Sequence, residues 1–286
     1  MTVFALSLIL AAAFVHASWN YFLKRSGGGT AFVWLFALLS ALIYAPLAAA
    51  VIWWVKPQFG WVHYGLMAAS AILHTAYYML LDRGYRSGDL SVVYPIARGS
   101  GPLITMLCAV LLLDERPTLV AVAGALLIGG GAVALTGDPR QLRRSGNLHA
   151  AGFALLTGCM IASYTLVDKI AVAAWLIPPL VQDWATNLGR VVFMAPLALR
   201  ARTELAPTWR RAKKEIIAVA LLCPLSYILV LTAMVFTPVS YVAPAREVSI
   251  LIAAFLGTHL LAEGDVGRRL AAAVAMVAGI ICLALG

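Results

Sequence analysis

Apolar residues run along this chain in ten stretches separated by short polar breaks. Each is close to the roughly 20 helical residues needed to cross about 30 Å of hydrocarbon. In order they predict membrane-spanning helices near 2–22, 31–55, 61–81, 90–113, 118–136, 148–168, 175–199, 215–236, 240–261 and 267–285. The expected fold class is all-α integral membrane, with the lipid bilayer as solvent. Met1 to Phe22 carries no Lys or Arg ahead of its apolar stretch, and Lys24 and Arg25 follow it, so it reads as a retained first span, not a cleaved leader.

Composition agrees with this reading. The chain is 63% apolar and 12% charged with a mean hydropathy of +0.92, against roughly half and a quarter for soluble domains. The net charge of +9 does not indicate a nucleic-acid partner, because the basic residues sit between the spans and form no stripe on a soluble face. Fifteen of the 21 Lys and Arg fall after spans 1, 3, 5, 7 and 9, and only Lys56, Arg116 and Lys169 fall in the other loops. Basic short loops stay cytoplasmic, so both termini are expected outside and the Arg200–Lys214 segment inside. Trp53, Trp54 and Trp61 suit an aromatic belt at the membrane surface. Cys108, Cys159, Cys223 and Cys282 lie in apolar runs without metal-ligand spacing and read as packing residues.

The chain also repeats itself. Ala97 to Glu115 (ARGSGPLITMLCAVLLLDE) matches Ala245 to Glu263 (AREVSILIAAFLGTHLLAE), and ASW (17–19) and APLA (45–48) recur as ASY (162–164) and APLA (195–198). Spans 1 to 5 therefore recur as spans 6 to 10. Because five is odd, the second copy enters the membrane from the opposite side, an inverted repeat that puts substrate near the midplane between the halves. The domains expected are residues 1–137, a basic cytoplasmic linker at 138–147, and residues 148–286.

On HASWNYFLKRS (16–26), DRGYRSGDLSVVYPIARGSGPL (82–103) and LLDERPT (112–118), the chain resembles the drug/metabolite transporter superfamily, and within it the ten-helix proteins with two EamA domains. The resemblance covers nearly the whole chain. It implies a substrate cavity between the halves and export or exchange of small metabolites, drugs or amino acids, often coupled to protons, without fixing the cargo.

Charges inside the predicted spans carry the chemistry, since each costs at least a few kcal/mol in hydrocarbon unless it is paired or lines a pathway. Arg98, Arg190, Arg246, Asp183 and Glu247 are the charges so placed. Arg98 and Arg246 approach the midplane from opposite faces, each roughly 9–12 Å deep at 1.5 Å per residue. Pro95, Gly99, Gly101 and Pro102 in span 4 and Pro244 in span 9 are expected to break the helices beside them. In span 7, Asp183, Asn187 and Arg190 share one face, as a wall, an Asp–Asn–Arg chain or a static ion pair. Three positive and two negative charges leave room for one anionic ligand group, because guanidinium forks suit carboxylates. A small anionic or zwitterionic metabolite, such as an amino acid or organic acid, is thus the expected cargo, moved by alternating access.

Glu247 is the first candidate for a proton-coupling group and Asp183 the second, while Arg246 pairing with its neighbour Glu247 is the competing structural reading. His16, His74 and His259 also lie in spans; His74, with Tyr77, is expected to face the cavity. Trp19, Tyr78, Tyr94, Tyr164 and Tyr227 suit an amphipathic pocket. Asp82, Arg83, Arg86 and Asp89 form a candidate cytoplasmic gate. Gly124 and Gly129 to Gly131 permit close helix contact, within the chain or between copies, so monomer and homodimer both stay open.

Neither HExxH, GxSxG nor a Cys/His ligand set is present, so an intramembrane enzyme is not expected, nor is any cofactor or metal. Cationic multidrug efflux is the leading alternative function, and a lipid flippase or channel a distant one. The Ala-rich composition, with no transit peptide, fits a bacterial cytoplasmic membrane.

Overall fold

A computed structural model describes residues 1–87, 90–136, 148–256 and 266–286. Of the described residues, 90% are helical. The elements are α1 (Val3–Ser26), α2 (Thr30–Val55), α3 (Trp61–Ser87), α4 (Leu90–Leu112) and α5 (Leu119–Thr136), then α6 (Leu148–Lys169), which runs into a π-helical turn (Ile170–Ala174). There follow α7 (Pro179–Arg200), α8 (Arg202–Phe236), α9 (Val239–Arg246), α10 (Val248–Leu256) and α11 (Val266–Leu285). Every predicted span appears among the described residues, the ninth as two helices. Helices α1, α2, α3, α6 and α8 are long and apolar enough to cross a membrane, and α4, α5 and α11 contain shorter apolar helices of the same character. The chain is a multi-pass helical membrane protein.

Three expectations are corrected. First, α3 continues to Ser87, so Asp82, Arg83 and Arg86 ride on its last turns, not in a loop. Second, the basic Arg200–Lys214 segment is largely helical, because it is rich in good helix formers; it joins the eighth span across a kink at Ala212 (φ −124°, ψ 28°). Third, α4 is continuous through Pro95, Gly99, Gly101 and Pro102. Its glycines serve packing: a Cβ at Gly99 would stand 2.7 Å from Val133 Cγ2, and one at Gly101 would stand 2.9 Å from Ile161 Cγ2. The break falls in the ninth span, at Glu247, between α9 and α10.

Helices from the first half pack on helices from the second. Antiparallel α1 and α8 meet where Phe4 stacks on Phe236 at 5.6 Å and, at the other end, where Arg25 pairs with Glu215 at 3.5 Å. Antiparallel α3 and α6 meet through Gly84 beside Phe153, and His63 meets Trp175 at 5.2 Å just past the π turn. In α2 and α7 two indoles reach across reciprocally: Trp34 Nε1 donates to the Val191 carbonyl at 3.1 Å, and Trp184 Nε1 to the Ala41 carbonyl at 2.9 Å. Helix α4 packs on α6 just as α10 packs on α1. The Glu115 carboxylate closes the start of α9, accepting from the Val239 and Ser240 amides at 2.8 and 2.9 Å, where a helix leaves its first N–H groups unpaired.

Small residues let α5 and α11 approach to backbone contact. A Cβ at Gly124 would lie 2.7 Å from the Gly279 carbonyl, and one at Gly279 would lie 2.6 Å from the Gly124 carbonyl. Gly124, and Gly131 against Met276 and the Ala272 carbonyl, therefore serve packing within the chain, whereas a Cβ at Gly130 would meet nothing within 4 Å. Gly124→Ala and Gly279→Ala should each cost about 1–3 kcal/mol through overpacking. Gly65→Ala and Gly152→Ala, where a Cβ meets nothing within 4 Å, should be neutral or mildly stabilising. Thermal unfolding of the four variants in detergent checks this, and equal effects at all four positions would disprove the close approach.

Candidate functional site

Helices α1, α3, α4, α6, α7, α8 and α9 converge on a partly open cavity of about 170 Å³. Its wall includes all nine residues singled out for substrate binding: Trp19, His74, Tyr77, Arg98, Asp183, Asn187, Arg190, Tyr227 and Arg246. A groove of about 340 Å³ elsewhere, on α10 and α11, is lined only by apolar side chains such as Leu251 and Ile281 and offers no chemistry.

The polar face of α7 forms a chain of contacts. Asn187 Nδ2 donates to Asp183 Oδ2 at 3.0 Å, and Arg190 Nη1 donates to Asn187 Oδ1 at 3.1 Å. Of the readings left open by the sequence, the structure takes the Asp–Asn–Arg chain, with Asn187 between the charges. The Arg190 guanidinium also lies 4.8 Å from the Tyr78 ring centroid, a cation–π arrangement.

Arg98 and Arg246 sit in matching surroundings. Arg98 Nη2 donates to His16 Nε2 at 2.9 Å and Arg246 Nη2 donates to the Tyr164 hydroxyl at 3.4 Å, each pair 82 positions apart in sequence. Arginine has no acceptor, so His16 accepts on Nε2 and is neutral. The Glu247 carboxylate crosses to Arg98, 3.4 Å from its Nε, with side-chain exposures of 1% and 9%. The competing expectation that Glu247 pairs with Arg246 is corrected by geometry, because adjacent residues on a helix point in different directions.

Aromatic rings make the rest of the wall. His74 stacks on Tyr164 at 3.9 Å and meets the edge of Tyr227 at 5.4 Å; its Nδ1 lies 3.0 Å from the Ser70 carbonyl, which fixes the tautomer. Tyr77 meets Tyr164 edge-on at 5.9 Å, and Trp19 meets His16 at 4.8 Å. Arg83 of the candidate gate is exposed. The side chains of Asp82 and Arg86, and residues Asp89 and His259, lie outside the described residues.

Asp168 was missed. The predicted sixth span ends at this residue, which made it look like a boundary, yet it is completely buried. It accepts from Gln182 Nε2 at 2.8 Å and from the Tyr227 hydroxyl at 2.5 Å, with Ser70 a further hydrogen-bond partner. Lys169 beside it turns away, donating to the Met234 and Thr237 carbonyls at 2.7 and 3.0 Å at the end of α8. With Asp168 counted, three guanidinium groups face three carboxyls, and the surplus positive charge read from the sequence disappears.

Removing one partner of a buried ion pair strands the other charge, at about 3–5 kcal/mol. Arg98→Ala should therefore destabilise the protein by that order, and adding Glu247→Gln should restore most of the loss. Unfolding midpoints of the single and double variants in detergent measure this; a double variant no more stable than the single would show that the two charges are not coupled.

None of the curated proteins matches the chain. Among solved structures, one described only as a crystal structure of a protein matches with a TM-score of 0.76 at 14% identity, over 98% of this chain and 97% of its own; this likeness shows the fold alone. Residues 3–137 match the EamA-like transporter family. With the apolar helices and the cavity already in place, this match makes the first half of the chain similar to an EamA-like transporter domain.

Proposed function

We propose that the protein is a secondary transporter of a small zwitterionic or anionic metabolite, such as an amino acid or organic acid, working by alternating access. The observation that carries this reading is a pair of cations that each keep one N–H unpaired. Arg190 Nε and Arg246 Nε are buried without a hydrogen-bond partner, and both residues line the cavity. A buried N–H left unpaired costs about 1–3 kcal/mol, more when charged, and an arriving carboxylate repays that cost. Asp183, on the same cavity, supplies the counterpart for an ammonium. The even balance of guanidinium and carboxyl groups favours a zwitterion over a plain anion.

Cavity size speaks against the multidrug alternative. About 170 Å³ suits a small metabolite, whereas drug-sized ligands occupy roughly 300–1,000 Å³.

The moving parts of this reading are two inverted halves, residues 1–137 and 148–286. Reciprocal contacts support it. The Trp34–Val191 bond becomes the Trp184–Ala41 bond when each half is exchanged for the other in the register that aligns the two APLA segments. In this reading the termini are periplasmic in a bacterial cytoplasmic membrane, as the distribution of basic residues suggests.

The test is uptake into proteoliposomes, with and without a pH gradient, of labelled amino acids, organic acids and cationic drugs. Arg190→Ala and Arg246→Ala should each lower uptake of the carboxylate-bearing solute at least tenfold. Movement of cationic drugs alone, unaffected by either substitution, would overturn the substrate assignment.

A further inference from the structure

Asp168 stands outside the cavity wall, yet it touches that wall through one atom. Its carboxylate is completely buried and accepts hydrogen bonds from Gln182 and Tyr227. Among the described residues no Lys or Arg makes an ion pair with it. The charged and titratable groups on the surrounding helices are otherwise engaged. On α3, His74 is held at the Ser70 carbonyl. On α7, Asp183 accepts from Asn187, and Arg190 donates to Asn187 and covers Tyr78. On α9, Arg246 donates to Tyr164 of α6, and on α4, Arg98 faces His16 and Glu247. Lys169 is occupied at the end of α8. A buried carboxyl held only by neutral donors is built to exist in two states, because burying its charge without a counterion is costly.

Tyr227 makes those two states readable from the cavity. Its ring lines the cavity while its hydroxyl oxygen lies 2.5 Å from Asp168 Oδ2. A phenol oxygen both donates and accepts. When Asp168 is ionised, the phenol hydrogen is committed to the carboxylate. When Asp168 is protonated, the acid O–H donates to the phenol oxygen, and the phenol hydrogen is released for another acceptor. Gln182 Nε2 keeps its bond to Oδ1 in both states. The π-helical turn immediately after Lys169 is the kind of local irregularity often found at functional positions.

We propose that Asp168 is a proton-binding site whose occupancy is relayed to the cavity by the Tyr227 hydroxyl. Protonation presents a hydrogen-bond donor to a solute carboxylate in the cavity; deprotonation withdraws it. By linkage, solute and proton each strengthen binding of the other. Given the transport reading above, on which this consequence rests, the two travel in the same direction.

The experiment has two arms. Infrared difference spectra of the purified protein across pH need no solute. One titrating carboxylic-acid C=O band should be present in wild type, Tyr227→Phe and Glu247→Gln and missing from the bands of Asp168→Asn, with a Tyr227 C–O band shifting alongside it wherever Tyr227 is kept. In proteoliposomes loaded with the amino-acid panel, an acid-outside gradient should drive accumulation by wild type. Asp168→Asn holds the protonated hydrogen-bond pattern permanently, so its uptake should no longer respond to the gradient. Tyr227→Phe should lose the pH response and bind at low pH as weakly as wild type does at high pH.

If every titrating C=O band of wild type persists in Asp168→Asn, or gradient-driven accumulation survives in it, the proposal is overturned, as it is by solute moving opposite to protons. If the band belongs to Asp168 and the Tyr227 band follows it, yet no solute moves, the proton site and its relay stand and the transport reading fails.

Discussion

Six ionisable side chains are held where hydrocarbon replaces water, and the bundle is arranged around satisfying them. Arg98, Arg190, Arg246, Asp168, Asp183 and Glu247 are each at most 7% exposed. No single helix could carry such a group at the bilayer midplane without a large penalty. Partners therefore come from other elements: Glu247 crosses to Arg98, Tyr164 to Arg246, and Gln182 and Tyr227 to Asp168. Each of these contacts joins two helices, so satisfying the charges also dictates which helices converge. The cavity is the space these pairings leave between the helices that supply them.

Close packing elsewhere makes that convergence possible. In lipid, helices gain little from apolar burial against one another, so small residues and interhelical hydrogen bonds decide which pairs approach. The Gly124–Gly279 contact and the two indole bonds between α2 and α7 do this work on the flanks. Helices α1, α3, α6 and α8 are then free to turn their polar faces inward.

Much of this was readable in the sequence because membranes simplify the code. Apolar runs of fixed length marked the spans, and rare charges within them marked the wall of the site, down to the shared face of Asp183, Asn187 and Arg190. What escaped reading has a common cause. Helix continuity through Gly99 and Gly101 depends on Val133 and Ile161 across the interface, which no local pattern of span 4 records. The partner of Glu247 is 149 positions away in sequence, at Arg98. Asp168 was judged by its place at the end of an apolar run, and hydropathy cannot distinguish a carboxylate at a membrane surface from one folded under a neighbouring helix.

In the proposed reading of two inverted halves, the halves differ in chemistry, and the difference has a physical direction. Where the first half sets His16 against Arg98, the second sets Tyr164 against Arg246. The second half alone contributes Asp168, Asp183, Asn187, Arg190 and Glu247. A cavity between identical walls would offer any solute the same charges on both sides and so bind it equally well in either orientation. With Asp183 on the wall from the second half and an arginine from each half, the cavity has a polarity. A zwitterion, whose two charged ends differ, has one favoured orientation in such a cavity. In the transport reading proposed above, a symmetric dianion would bring one end to Asp183 whichever way it turned, so this asymmetry favours a solute with unlike ends.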